Sequence, residues 1–422
     1  MKANNNFSYS ITGGQKLVGS VRLSGAKNST LKLLAASLLT AEPVELTNYP
    51  STLLDAQIHV GMLEALEKHC CVHEDRITIE EPAPISSELV WKDRSIRNTL
   101  LVLGCLLTRT GSAKVPLPGG CKLGDRKFDL HEMLLRQLGA DVWQEGDAVC
   151  AKAKTGHLAG SDIHLPIRST GATENAILCA TLAKGITRVW NPHVRPEILD
   201  LIALLKRMGA NIKVYGQEHI KIIGVDRLFG CKHPIIPDNM EAITWVVASV
   251  ITDGDIEILN FPFNDLEVPL IFLRESGAVF YTSPQDMIVR GGTPYPVEIS
   301  TGPYPGINSD MQPLFAAYAA CAKGESRIVD LRFPGRYGYA AELRKMGVVS
   351  QQQDNLLKIQ GGHPLKGASV CALDLRAGVS LCLAALVADG QTLIADAWQV
   401  ERGYDNFFNK LKLLGGDIKY EH

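Results

Sequence analysis

The segment Leu204-Leu205-Lys206-Arg207-Met208-Gly209-Ala210-Asn211-Ile212 carries the pattern that decides the fold. Leu204 to Met208 reads as the end of a helix. Gly209 suits the left-handed turn that closes a helix, and Ala210-Asn211-Ile212 opens a β-rich stretch. The pattern recurs. Leu134 to Leu138 runs into Gly139-Ala140-Asp141-Val142, and Phe272 to Ser276 into Gly277-Ala278-Val279-Phe280. Leu343 to Met346 runs into Gly347-Val348-Val349, and Leu411 to Leu414 into Gly415-Gly416-Asp417-Ile418. The glycines at 139, 209, 277, 347 and 415 step by 70, 68, 70 and 68 residues. A degenerate first copy, Leu63 to Lys68 and then His69-Cys70-Cys71-Val72, extends the series back by 70 to His69. Self-similarity at a fixed period marks a repeat architecture.

A second helix signal recurs in each unit, at Leu31–Leu39, Leu100–Leu107, Ala176–Ala183, Ile243–Ile251, Leu314–Ala322 and Leu381–Val387. These segments are apolar nearly all round, which predicts buried helices. A short strand and a turn follow each. The turns include Asn48-Tyr49-Pro50, Pro116-Leu117-Pro118, Asn191-Pro192, Asn260-Phe261-Pro262 and Phe333-Pro334, while the sixth, Ala397-Trp398, lacks the proline. One unit of about 70 residues buries little surface alone, so units associate, and six units fit two domains of three. The chain is expected to cross between domains near Lys27 and to return near Asp238. That gives one domain of residues 27–235 and another made of 1–26 and 236–422.

Composition narrows the function. A hydrophobic content of 46% and a charged content of 21% are those of a globular protein. A net charge of -2 argues against a general nucleic-acid binder. The longest apolar run, Ala242 to Ile251, is too short to span a bilayer. The N-terminal MKANNNFSYSITGG is no signal peptide, and free thiols without one point to the cytoplasm. The ten cysteines form no Cys-x-x-Cys and the eleven histidines no His-Glu-x-x-His, which argues against structural zinc.

Polar residues fall at two phases of the repeat. The first is the start of each buried helix: Ser24-Gly25-Ala26-Lys27-Asn28-Ser29, Arg94-Ser95-Ile96-Arg97-Asn98-Thr99, Arg168-Ser169-Thr170-Gly171, Asp238-Asn239, Asn308-Ser309-Asp310 and Asp374-Leu375-Arg376. Helix N-termini bind anions. Ser29, Thr99 and Asp238 are explained as caps. Lys27, Arg97 and Arg376 are not, since cations are disfavoured there. Their placement points to an anionic ligand carrying phosphate or carboxylate. The second phase holds Cys121, Arg336 and Arg402. Cys121 lies in the glycine-rich run Pro118-Gly119-Gly120-Cys121-Lys122-Leu123-Gly124-Asp125-Arg126-Lys127-Phe128-Asp129, where neighbouring cations favour its thiolate.

Five motifs in order, in register with the repeat, resemble the enolpyruvyl transferases: Ser24-Gly25-Ala26-Lys27-Asn28, Pro118-Gly119-Gly120-Cys121, Asp310-Met311-Gln312, Asp374-Leu375-Arg376-Ala377 and Arg402-Gly403-Tyr404. The resemblance covers essentially the whole chain. It implies an α/β (α+β) fold, a two-domain inside-out α/β barrel of six βαβαββ-type repeats, three per domain, closing over the substrates. It also implies transfer of the enolpyruvyl group of phosphoenolpyruvate to an acceptor hydroxyl, with release of phosphate.

By this resemblance Lys27, Arg126 and Arg402 hold phosphoenolpyruvate, and Arg97, Arg336 and Arg376 are further arginines of that site. Cys121 matches a reactive thiol that donates a proton and that fosfomycin alkylates. Asp310 matches the carboxylate beside the acceptor hydroxyl, its general base, and Asp374 a second carboxylate near the reacting carbon. Asn28, Ser169, Thr170 and Gly171 match acceptor contacts, and Arg126 to Leu130, with Asp129, the uridine-side loop. No metal or organic cofactor is implied. The partners are small molecules, phosphoenolpyruvate and a uridine nucleotide, and no oligomeric state follows from the sequence.

The chain departs from the family pattern at Lys127 (usually proline), at Asn239 (usually arginine), at Pro334-Gly335 (where a glutamate is usual) and at His69-Cys70 (usually Gly-Ala). These changes lie toward the acceptor. The leading acceptor is the 3-hydroxyl of UDP-N-acetylglucosamine, in peptidoglycan precursor synthesis. The alternatives are a paralogue acting on UMP or another nucleotide, as in nucleoside-antibiotic pathways, and a non-catalytic nucleotide-binding paralogue. The shikimate-pathway relative ranks behind because it lacks a thiol in this loop.

Overall fold

The computed structural model describes residues 7–94, 96–119, 128–333 and 335–421. Its contacts divide it into two compact units, Gly25–Ile236 and a second formed by the segments before and after it. The fold is mixed α/β. Among the described residues each unit holds three small sheets and its own apolar core. No helix is long and apolar enough to cross a membrane.

All six buried helix signals form helices: Lys27–Ala36 (continued by a 3-10 turn, Ser37–Leu39), Thr99–Thr110, Thr170–Ala180, Asn239–Ile251, Gln312–Cys321 and Leu375–Val387. Asn239–Ile251, Gln312–Cys321 and Leu375–Val387 pack on one another in one unit. In the other, Lys27–Ala36 and Thr170–Ala180 both pack on Thr99–Thr110. Their leucines, valines and alanines are almost wholly buried. Truncating one such leucine to alanine costs about 2–5 kcal/mol, because the cavity left behind adds to the lost burial.

The five glycines of the repeat all have positive φ, between 91° and 100°. In four copies the glycine is followed by a backbone bond that closes the helix end: Ala210 N–H donates to Leu205 O, Ala278 to Leu273, Val348 to Leu343 and Gly416 to Leu411. The first copy corrects the expected register. There the left-handed residue is Glu67 (φ 71°), not His69, and Lys68 N–H donates to Leu63 O. The turn geometry is kept two residues earlier, and the strand then begins at His69. The turns after the short strands likewise use left-handed residues, Asn48, Asn191, Asn260 and, where the proline is missing, Asp396. Asn and Asp tolerate this conformation better than other non-glycine residues.

Each unit is closed by strands from its sequence extremes. Ser8–Thr12 pairs antiparallel with both Gln391–Ala395 and Asp417–Glu421, and Val18–Arg22 pairs parallel with Asp255–Leu259. In the other unit Cys231–Pro234 pairs parallel with Val44–Thr47. At the starts of two buried helices, Asp238 N–H donates to Ser24 O and Ala26 N–H to Ile236 O.

Candidate active site

In the unit that carries residues 237–421, the site residues gather around Asp310. Asp310 lies just before the helix Gln312–Cys321, and Arg336 Nη1 donates to its Oδ1 at 2.7 Å. Arg336 Nη1 also reaches Ser309 Oγ at 3.2 Å. Arg376, second residue of the helix Leu375–Val387, places Nε 3.8 Å from Asp310 Oδ2 and stacks its guanidinium 5.2 Å from the Tyr404 ring centre. It is 1% exposed. Asp374 caps that helix, accepting from the backbone N–H groups of Arg376 and Ala377 at 2.8 and 2.9 Å. Asp238 does the same for Asn239–Ile251.

Burial works against the Arg336 charge, but Asp310, Asp374 and Asp330 outweigh it and raise its pKa. Burial likewise opposes the Arg376 charge, and Tyr404, Asp310 and Asp238 overcome it, again raising the pKa. Both guanidiniums stay charged at any working pH. Arg336 Nε, and Arg376 Nε and Nη1, are nevertheless buried without a hydrogen-bond partner among the described residues. Each such group costs about 1–3 kcal/mol. An anionic oxygen placed against them would recover that energy, and two guanidinium forks suit a carboxylate or phosphate.

Arg402 follows the short helix Trp398–Glu401, is 5% exposed, donates to Gln399 Oε1 at 3.0 Å and lies 5.9 Å from the Trp398 ring centre. It connects to the cluster through the chain, two residues before Tyr404. Asn239, the departure from the family arginine, opens its helix with Oδ1 buried and unpartnered.

In the unit Gly25–Ile236, Lys27 is the first residue of its helix and its ammonium lies 3.0 Å from Asp55 Oδ2. Asp55 sits in the first turn of Leu54–Glu64 and is 2% exposed. Asn28 follows Lys27 on the same turn, half-buried. Arg97 directly precedes Asn98, the N-cap of Thr99–Thr110. Burial lowers the Arg97 pKa, and Asp129, first residue of the helix Asp129–Gln137, partly restores it. Leu130 is half-buried against the core. Ser169 caps Thr170–Ala180, and Thr170 Oγ1 lies 2.9 Å from His193 Nδ1. A Cβ on Gly171 would stand 3.2 Å from His131 Nε2, so glycine leaves room for that ring. Cys121, Arg126 and Lys127 lie outside the described residues, as does Pro334.

The three cations at helix starts thus each face a carboxylate: Asp55 for Lys27, Asp129 for Arg97 and Asp310 for Arg376. Reasoning from the sequence missed Asp55 and His131. Burial, then Arg97 and Lys32, take the His131 pKa down to about 3, so the ring is neutral. Its one signal was its place directly after Asp129-Leu130.

The pattern that defines EPSP synthase (3-phosphoshikimate 1-carboxyvinyltransferase) matches residues 11–411. The chain belongs to the enolpyruvyl transferase family. This enolpyruvyl transferase is 40% identical over 411 residues to the UDP-N-acetylglucosamine 1-carboxyvinyltransferase of Finegoldia magna, covering 96% of each chain. It is 40% identical over 418 residues to the protein of that name from Sphingopyxis alaskensis, covering 97% of this chain and 98% of the relative. Among solved structures, the enolpyruvyl transferase NikO from Streptomyces tendae superposes with a TM-score of 0.89 at 25% identity, over 98% of this chain and 99% of NikO. As a family member the chain is a transferase that moves an enolpyruvyl group.

Proposed function

We propose that this enzyme transfers the enolpyruvyl group of phosphoenolpyruvate to the 3-hydroxyl of UDP-N-acetylglucosamine, the committed step toward peptidoglycan precursors. The observation that carries this reading is the identity of 40% over nearly the full chain to enzymes named for that acceptor. The orphaned guanidinium nitrogens of Arg336 and Arg376 support an anionic substrate. The finer architecture in this reading is six repeats in two inside-out α/β barrels, residues 27–235 and 1–26 with 236–422.

In the proposed reaction Asp310 accepts the proton of the acceptor hydroxyl, and that oxygen bonds to C2 of phosphoenolpyruvate. The Cys121 thiol gives its proton to C3, completing a tetrahedral adduct. In the second step Asp374 takes a proton from C3, the C2–O bond to phosphate breaks as the C2–C3 double bond re-forms, and inorganic phosphate leaves. Lys27, Arg97, Arg126, Arg336, Arg376 and Arg402 hold the carboxylate and phosphate. Asn28, Asp129, Leu130, Ser169, Thr170 and Gly171 contact the acceptor. A general base of this kind contributes about 10²–10⁴-fold to rate.

A second reading keeps the chemistry and replaces the acceptor by UMP or another nucleotide. The departures at Lys127, Asn239 and Pro334-Gly335 favour it. Phosphate release from phosphoenolpyruvate with each acceptor decides between them. Turnover with UDP-N-acetylglucosamine is the expected result. Turnover with UMP alone would overturn it, and no release with any nucleotide would point to a binding protein.

A further inference from the structure

The unit Gly25–Ile236 contains a polar network inside its apolar core, and it converges on Lys32. This lysine lies about one and a half turns beyond Lys27 on the helix Lys27–Ala36, with its side chain 15% exposed. Its ammonium donates to Asn98 Oδ1 at 3.2 Å and stands 3.6 Å from Glu174 Oε2. The Asn98 amide donates to Leu31 O at 2.6 Å and lies 3.1 Å from His59 Nδ1 on the helix Leu54–Glu64. Glu174 belongs to Thr170–Ala180 and is 1% exposed. One ammonium and one amide therefore tie four helices together.

This arrangement is a poor device for stability. Apolar residues of the same volume would hold the helices at least as firmly as a buried ion pair. Two network atoms, Glu174 Oε1 and His59 Nε2, are even left buried without a hydrogen-bond partner. What polar ties supply is direction, because they fix distances between particular atoms. What they fix here is the start of each buried helix. Lys27 and Asn28 precede Lys32, Arg97 is the neighbour of Asn98, and Ser169 to Gly171 lie about one turn before Glu174.

We propose that Lys32 and Glu174, together with Asn98, are positioning residues that hold the three helix starts of this unit in register for the substrates. The inference rests on the site assignment proposed above. It implies that both substrates sense the loss of the network, phosphoenolpyruvate through Lys27 and Arg97 and the acceptor through Asn28 and Ser169 to Gly171.

The test uses the full chain with the double replacement Lys32→Met and Glu174→Leu, which removes both charges together and strands neither. Its melting temperature should equal or exceed that of the wild type. Its KM for the acceptor and its KM for phosphoenolpyruvate should each rise about tenfold or more, as misplaced contacts cost in binding and rate. Lys32→Arg, which keeps the charge, should hold the acceptor KM within about threefold. Should the double variant not fold, Lys32→Met with Glu174→Gln, which likewise strands neither charge, carries the same readings.

An unchanged KM for either substrate would overturn the proposal. Amide hydrogen exchange at residues 27–31, 97–101 and 169–173 gives a reading that needs no substrate. It should quicken at least about fivefold in the variant, and unchanged rates would also overturn the proposal. If the wild type turns over neither acceptor, the functional reading fails, and exchange alone decides the positioning role.

Discussion

Replacing Glu174 by glutamine tests the polar core through pH. Burial raises the Glu174 pKa to about 7 from the 4.5 of a free side chain, even though Lys32 pulls it down. Glu197 adds to the rise, and Arg195 opposes it. The folded state therefore holds the proton more tightly than the unfolded state. The stability this gives is fully present below pH 4.5 and is lost as pH rises through 7. The gap between the two values, at about 1.4 kcal/mol per pH unit, is worth about 3 kcal/mol. Glutamine does not titrate. Urea unfolding of both proteins, measured every half unit from about pH 4.5 to 8.5, should show the wild type losing about 3 kcal/mol relative to Glu174→Gln. Most of that loss should fall between 4.5 and 7, with parallel curves above. Parallel curves across the whole range would refute the reasoning, since they would mean that folding does not change how this carboxyl titrates.

Other expectations concern single positions. Glu67→Gly should stabilise the chain by about 0.5–1 kcal/mol, because it relieves a left-handed residue costing about 1–2 kcal/mol and returns about 0.5–1 kcal/mol in unfolded-state entropy; a lower melting temperature would contradict the shifted turn. Asp310→Asn should reduce kcat about 10²–10⁴-fold in the phosphate-release assay, and a retained kcat would remove it as the base. Cys121→Ser should abolish inactivation by fosfomycin, and unchanged inactivation would show that the thiol is not the target.

The repeat was legible because its turns need a left-handed residue, and glycine announces that need. Where glutamate takes the place, at residue 67, no signal marks it, and the first copy was placed two residues late. The buried helices were legible from their apolar faces. The same reading hid Lys32, Asn98 and Glu174, because a lone polar residue in an apolar helix has no visible partner until the helices pack. Asp310, Asp374 and Arg376 were found through motifs and Arg336 through its phase in the repeat, and the structure brings them together. Asp55 was not found, since one acid at the start of an amphipathic helix reads as a favourable dipole contact.

The strand closures also govern the order in which the chain can fold. Every strand of the unit Gly25–Ile236 has been synthesised once the ribosome has passed Pro234. Ser8–Thr12 must instead wait for partners at Gln391–Ala395 and Asp417–Glu421, made long after that unit is complete. The middle of the polypeptide can therefore reach its native state during translation. Ser8–Thr12, bearing unpaired edges, stays exposed until those partners have been made. A chaperone acting on the nascent chain would find its substrate at the beginning of the sequence rather than in the segment just emerging.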